Sequence, residues 1–255
     1  MRIGFVGTGT ITEAMVTGIV GSSLDVTDIV VSPRNAEIAT RLARRFPPVR
    51  IAKDNQDVVD ASDVLFLAVR PQIAKEVIGG LAFRSGQRVV SVIAATDRAK
   101  LLNWIKEDVD LTQAIPLPFV AGREGVTALY PPHPEIAAIF AALGSTVECE
   151  TKEEYDLLAA ASALMGTYFG ILDRSTDWLV EKGLAREKAR AYLAPLFASL
   201  AQTAVKAEAT PLDTLRREFS TPGGLNEQVF EDFDRNGGSR ALAGALERVL
   251  HRVRG

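Results

Sequence analysis

The chain has a single cysteine, Cys149, so no disulfide can close within it. In "STVECE", at the end of an expected strand, this thiol reads as a buried structural residue. Histidine is almost as scarce. His133 lies in the proline-rich loop "YPPHPE" and His251 in a solvated or helix-terminal position, and neither has a second histidine or a cysteine at metal-ligand spacing. No metal site is therefore expected, and chemistry that needs a histidine acid or base has few candidates. No apolar leader precedes the opening strand "MRIGFVG", and nowhere do about 18 apolar residues run together, so the expectation is a cytoplasmic protein without a membrane span. Basic runs are absent too, and a formal net charge of −3 argues against nucleic acid or an anionic membrane as the main partner. A small molecule is the expected partner.

What is present is an ordinary globular composition, 47% hydrophobic and 24% charged, over 255 residues, enough for two modest domains. From residue 1 to 150, β-branched runs ("RIGFV", "DIVVS", "VRIA", "DVLFLAV", "RVVSVI", then "LTQAI", "GVTALY" and "STVEC") alternate with helical patterns at 11–20, 36–46, 71–81 and 98–105. That alternation predicts an α/β fold with a Rossmann-type, doubly wound parallel sheet. From 151 to 255 the apolar residues fall at helical spacing with no strand among them. The first of these helices is apolar all round, which suggests that a second chain covers it.

"IGFVGTGTITEAM" follows the first strand and opens the first helix. Gly7 allows the tight turn, Gly9 lets the backbone approach a pyrophosphate, and the amides around Thr10 and Ile11 point at that anion; the third fingerprint position is Thr12. The second strand ends in "VVSPRNAE", with no acidic residue to meet ribose hydroxyls. Ser32, Arg34 and Asn35 offer a cation and donors suited to a 2′-phosphate, which indicates NADP(H); the alternative is that Arg34 is a solvated loop cation.

"STPGGLNEQ" interrupts the helical half with Pro222, Gly223 and Gly224. Such a break serves either as a loop between helices or as a turn that aims bare amides at a ligand.

Taken in order, "GFVGTGTITEAM", "NQDVVDASDVLFLAVRPQ", "SVIAA", "EGVTAL" and "STPGGLNEQ" resemble the pyrroline-5-carboxylate reductase family along the whole chain. The resemblance implies reduction of a cyclic imine with NAD(P)H, a Rossmann domain over 1–150, and an all-α dimerisation and substrate domain over 151–255 that interlocks with a second copy in a homodimer. It also implies that Ala68, Val69, Arg70 and Pro71 border the dinucleotide, that Asn55 meets the adenosine side, and that Ala94 faces the nicotinamide. The Thr221–Gly224 turn would hold the substrate carboxylate, making Thr221 and Asn226 the catalytic positions, with Gly223, Gly224, Leu225, Ser162 and Tyr168 around the substrate. The chain departs from the family pattern in several places. Leu225 and Asn226 replace a small residue or threonine and a threonine, Leu117 replaces an asparagine, Arg70 replaces a lysine, and Leu164 and Met165 fill space that family members leave open.

Reduction of a protonated C=N makes modest demands on the protein, whereas a ketone would call for a proton donor. Tyr168 and Lys206 are the candidates for that role; the competing readings are a core tyrosine and a solvated helix-end cation. An imine reductase is the leading reading. The alternatives are a β-hydroxyacid dehydrogenase-type oxidoreductase with a catalytic lysine, and a non-catalytic NADPH-binding protein.

Overall fold

The computed structural model describes residues 1–254. Eight strands form one sheet: β1 (Arg2–Val6), β2 (Asp28–Val31), β3 (Val49–Ile51), β4 (Val64–Leu67), β5 (Arg88–Ser91), β6 (Asp110–Ile115), β7 (Gly125–Tyr130) and β8 (Gly144–Glu148), in the order β3-β2-β1-β4-β5-β6-β7-β8. The helices of this part are α1 (Thr10–Val20), α2 (Ala36–Arg45), α3 (Asn55–Ala61), α4 (Pro71–Gly79), α5 (Arg98–Ile105), α6 (Pro134–Ala141) and α7 (Lys152–Ala161). The chain divides into two compact units, Met1–Ala160 together with the last residues from Leu250, and Ala161–Val249.

In the first unit a period of two along each strand sorts side chains onto two faces, and helices cover both. Along β4, Val64 and Phe66 enter one core with Ile3 and Phe5, while Leu65 and Leu67 enter the other with Val89 and Leu111. Phe66 stacks on Phe5 at 4.9 Å between ring centroids and meets Phe140 edge-on at 6.1 Å. Burying one such ring stabilises the fold by about 1.5–3 kcal/mol.

Three features differ from the sequence expectation. The sheet is parallel except at β6–β7, which pair antiparallel. The connection from Pro116 to Glu124 holds only a 3-10 helix, Pro118–Gly122, too short for the crossover of about a dozen residues that a parallel pair needs. The proline-rich "YPPHPE" becomes the start of α6: Pro134 occupies the first turn, and His133 caps it by accepting the Ile136 N–H at Nδ1 (3.4 Å) while its Nε2 meets Asp110 (2.8 Å). Helix α3, absent from the sequence reading, starts where the Asp54 carboxylate accepts the Asp57 N–H (2.9 Å).

The second unit is helical: α8 (Leu164–Glu181), α9 (Arg186–Lys206), α10 (Leu212–Glu218), α11 (Leu225–Arg235) and most of α12 (Gly238–Arg254). Arg186 joins α9 to α8 through Asp177 (2.6 Å). Among its described residues only Thr176 and Ala189 are buried, while Phe169, Trp178, Leu200, Phe219 and Phe233 are exposed. The run Lys152–Glu181 is long and apolar enough, by length and composition alone, to cross a membrane. The sequence expectation was that no run of about 18 apolar residues occurs; within this helix the uncharged stretch is Leu157 to Leu172.

Candidate active site

Because β1 to β5 are parallel, the loops that follow them share one edge of the sheet. The strand order reverses around β1 and β4, the place where doubly wound sheets bind ligands. Gly7, Gly9, Thr10, Ile11, Arg34, Asn55, Ala68, Val69, Arg70, Pro71 and Ala94 all fall on that edge, in the loops or at the first residues of the helices after them.

Gly7 has φ 105°, and a Cβ there would lie 2.4 Å from the Ala68 carbonyl oxygen, so only glycine lets the β1 turn close onto the end of β4. Gly9 caps α1 in an extended conformation with no side-chain hydrogen bond, and nothing lies within 4 Å of where its Cβ would be. The N-terminus of α1 therefore opens onto free space, with backbone donors and the positive end of the helix dipole available to an anion. These features fit a dinucleotide pyrophosphate. Thr12 is buried and donates its hydroxyl to the Gly7 carbonyl (2.7 Å), so threonine at the third fingerprint position braces the turn. The tight helix contact falls instead at Gly18, where a Cβ would sit 2.1 Å from the Val120 carbonyl oxygen.

Ser32 corrects the sequence expectation. It is buried, accepts the Gly7 N–H at Oγ (2.9 Å) and lies 3.1 Å from the Thr8 hydroxyl, which donates to its carbonyl (2.7 Å). The parallel register of β1 and β2 sets Phe5 beside Val31, which brings the next residue level with the glycine turn. Ser32 thus shapes the loop from behind instead of standing open to a 2′-phosphate. Asn35 likewise uses its Oδ1 to cap α2 by accepting the Ile38 N–H (3.3 Å). Arg34 stands exposed between them, with no carboxylate partner among the described residues. Arg70 is exposed at the N-cap of α4 with Pro71 at the first helical position. The loop after β5 carries exposed Ala94 and Ala95, the latter at φ 48°.

In the second unit Gly223 has φ 72° and the Gly224 N–H closes the turn onto Thr221 (2.8 Å). The groups expected to receive a carboxylate are already engaged. The Gly223 N–H donates to Glu227 Oε2 (2.6 Å), and the Asn226 side-chain amide donates to the Phe219 carbonyl (2.7 Å). Glu227 was missed in the sequence, although an acidic residue at the third helical position after a turn is the signature of a capping carboxylate. Leu225 is 80% exposed. Tyr168 is no core residue: it is 40% exposed, with edge-on contacts to Phe169 (5.2 Å) and Phe197 (5.9 Å). Ser162 lies in the turn between α7 and α8. Lys206 is exposed at the C-terminal end of α9, where a cation complements the helix dipole. Among the described residues no group of three or more His, Cys, Asp or Glu comes together to hold a metal ion.

An α/β unit with a glycine turn at its switch point, followed by helices, defines a dinucleotide-dependent oxidoreductase architecture. Residues 2–95 match the model of the coenzyme F420-dependent NADP oxidoreductase family, and residues 153–255 match that of the pyrroline-5-carboxylate reductase dimerisation domain. The pyrroline-5-carboxylate reductase of Pseudomonas aeruginosa is 27% identical, covering 98% of this chain and 95% of its own length. The fold resembles that of 1-pyrroline-5-carboxylate reductase from Streptococcus pyogenes (TM-score 0.84, 20% identity, 100% of this chain and 98% of that one). It also resembles the NADP-bound pyrroline carboxylate reductase of Plasmodium falciparum (TM-score 0.83, 17% identity, 100% and 97%). Together these matches support the pyrroline-5-carboxylate reductase family for this chain.

Proposed function

We infer that this protein is an NADPH-dependent reductase of the C=N bond in a small, carboxylate-bearing cyclic imine, of the pyrroline-5-carboxylate reductase type. The observation that carries the reading is the pairing of both family domains in one chain aligned over nearly its whole length with such a reductase. The open N-terminus of α1 at Gly9 and the exposed Arg34 support NADPH as the cofactor. When bound, the cofactor supplies a hydride to the imine carbon. The chain's own contributions are to hold the pyrophosphate at the α1 amides, to grip the 2′-phosphate with Arg34, and to receive the substrate carboxylate at the Thr221–Asn226 turn. In the free chain the Glu227 carboxylate occupies that turn, so substrate has to displace it.

The exposed apolar face of the second unit supports a homodimer formed through the helical domain. The run from Leu157 to Leu172 then packs on protein. Sedimentation in detergent-free buffer tests this, with a dimer expected and a monomer or a detergent requirement overturning it. The reaction is tested by NADPH oxidation with pyrroline-5-carboxylate, pyrroline-2-carboxylate, other cyclic imines and 2-oxo acids. Turnover of an imine is expected; turnover of 2-oxo acids alone overturns the reading.

A further inference from the structure

A chain of charges ties the start of α7 to the loop after β5. Lys152 Nζ lies 2.5 Å from Asp156 Oδ2 on its own helix and 3.8 Å from Asp97 Oδ2, at the end of that loop. Asp156 is 6% exposed and has Arg254 Nε at 3.9 Å as a second cation. A carboxylate buried to that degree is tolerable only when it is paired, so Asp156 holds Lys152 in place. The backbone of Lys152 is fixed as well. The Thr151 hydroxyl accepts the Glu154 N–H (3.2 Å), and the Glu154 carboxylate accepts the N–H groups of Glu150 (2.8 Å) and Thr151 (3.3 Å). A cation in the first turn of a helix works against the helix dipole, so helix stability does not account for Lys152. The two carboxylates do.

At the other end, the loop has features that need holding. Ala95 sits in the left-handed region, an unfavourable conformation for a residue with a Cβ. The loop is anchored where the Gln113 side-chain amide donates to the Thr96 carbonyl (2.8 Å), and where Asp97 Oδ1 caps α5 by accepting the Ala99 N–H (2.8 Å). Its place in the sheet gives it a role. The 2′-phosphate end of the cofactor belongs beside β2, at Arg34, so a dinucleotide crossing the β1–β4 switch point brings its nicotinamide end toward β4 and β5.

We propose that Lys152, held by Asp156, is a positioning residue that acts through Asp97 to fix the loop after β5 against the nicotinamide end of NADPH. The proposal rests on the cofactor reading above.

The test compares binding of NADPH with that of 2′,5′-ADP, which carries only the adenosine half, in the full-length protein. Lys152→Met is expected to weaken NADPH about fivefold, the order of a lost partly buried ion pair, while 2′,5′-ADP is unchanged. Hydrogen exchange in the loop should accelerate in the same variant without ligand. Asp97→Asn keeps a good helix cap and removes only the charge, so it should reproduce the effect without loss of fold. Combined with Lys152→Met it should add nothing further. Lys152→Arg should restore NADPH binding. Equal weakening of both ligands, additive single effects, or no effect in either variant overturns the proposal. A parent protein that binds neither ligand overturns the cofactor reading itself.

Discussion

The two units treat apolar side chains in opposite ways. In the first, Phe5, Phe66, Phe140 and the strand residues around them are wholly buried on both faces of one sheet. In the second, Phe169, Trp178, Leu200, Phe233 and Leu225 are exposed, and Thr176 and Ala189 are the buried residues among those described. A sheet covered by helices on both faces completes its core within one chain. Helices that are apolar on several sides cannot do so, and the proposed second copy supplies the missing surface. The first unit should accordingly be stable at any concentration, while the second should depend on association.

The most severe break of that contrast is Phe66→Ala. Removing a ring packed between Phe5 and Phe140 is expected to cost about 3–5 kcal/mol, read as a shift of the denaturant midpoint that does not vary with protein concentration. Next comes a charge on the open face of α8. Phe169→Asp should weaken the dimer by about 2 kcal/mol or more, some thirtyfold in dissociation constant by sedimentation. Val126→Asp, at an apolar position on β7 that is also exposed (45%, against 59% for Phe169), should leave association unchanged. Similar dissociation by both would mean that the two surfaces do not differ as described.

Smaller effects separate the two candidate binding regions. Arg34→Ala should weaken NADPH about tenfold or more and NADH hardly at all, since a charge-assisted phosphate contact contributes about 1.5–3 kcal/mol. Titration at several protein concentrations should give the same ratio, because the residue belongs to the self-contained unit. At the helical turn, Glu227→Gln should lower KM for pyrroline-5-carboxylate about threefold to tenfold while NADPH affinity holds, because a neutral amide yields the Gly223 N–H more readily than a carboxylate does. An unchanged KM would make Glu227 a helix cap and nothing more.

The smallest effect belongs to Asp63, whose carboxylate accepts the Arg2 backbone N–H (2.8 Å) and pairs with the Arg2 guanidinium (2.7 Å). The hydrogen bond from the Arg2 side chain, followed by that from its backbone, lowers the Asp63 pKa from 3.8 to about 2. A depressed carboxylate stabilises the fold above its unfolded pKa, and that contribution disappears as pH falls from about 4 through 2. Both side chains are partly solvent-exposed, so Asp63→Asn should cost less than about 1 kcal/mol at neutral pH. The difference from the parent should vanish near the bottom of that window in pH-dependent thermal melts.

Much of this was legible in the amino-acid order, since strand and helix periodicity and the Gly7-x-Gly9 turn after a first strand are local signals, whereas the first compact unit runs on to Ala160, past the change of pattern near Thr151, because Tyr155 of α7 packs with Ala128 and Cys149. The helix at Pro134–Ala141 was hidden because prolines at its start read as loop, though proline at the first helical position is compatible with one. For Tyr168 the competing reading of a core tyrosine arose because its neighbours are apolar, yet those neighbours are themselves exposed in this chain. At the candidate site the sequence supplied the residue types and missed their commitments. Ser32 was visible as a donor at the end of β2, but only the register of β2 beside β1 turns its hydroxyl onto Gly7.

By itself, then, the sequence determined the fold class, the glycine turn after the first strand and the family resemblance, because each is written in short-range pattern and residue order. Tertiary structure alone decided the antiparallel β6–β7 pair, the occupation of the Gly223 amide by Glu227, and the bridge from Asp156 through Lys152 to Asp97. Each of these depends on where a polar group finds its partner once water is excluded or the chain has turned back on itself, and a donor's choice among acceptors is set by distance in space.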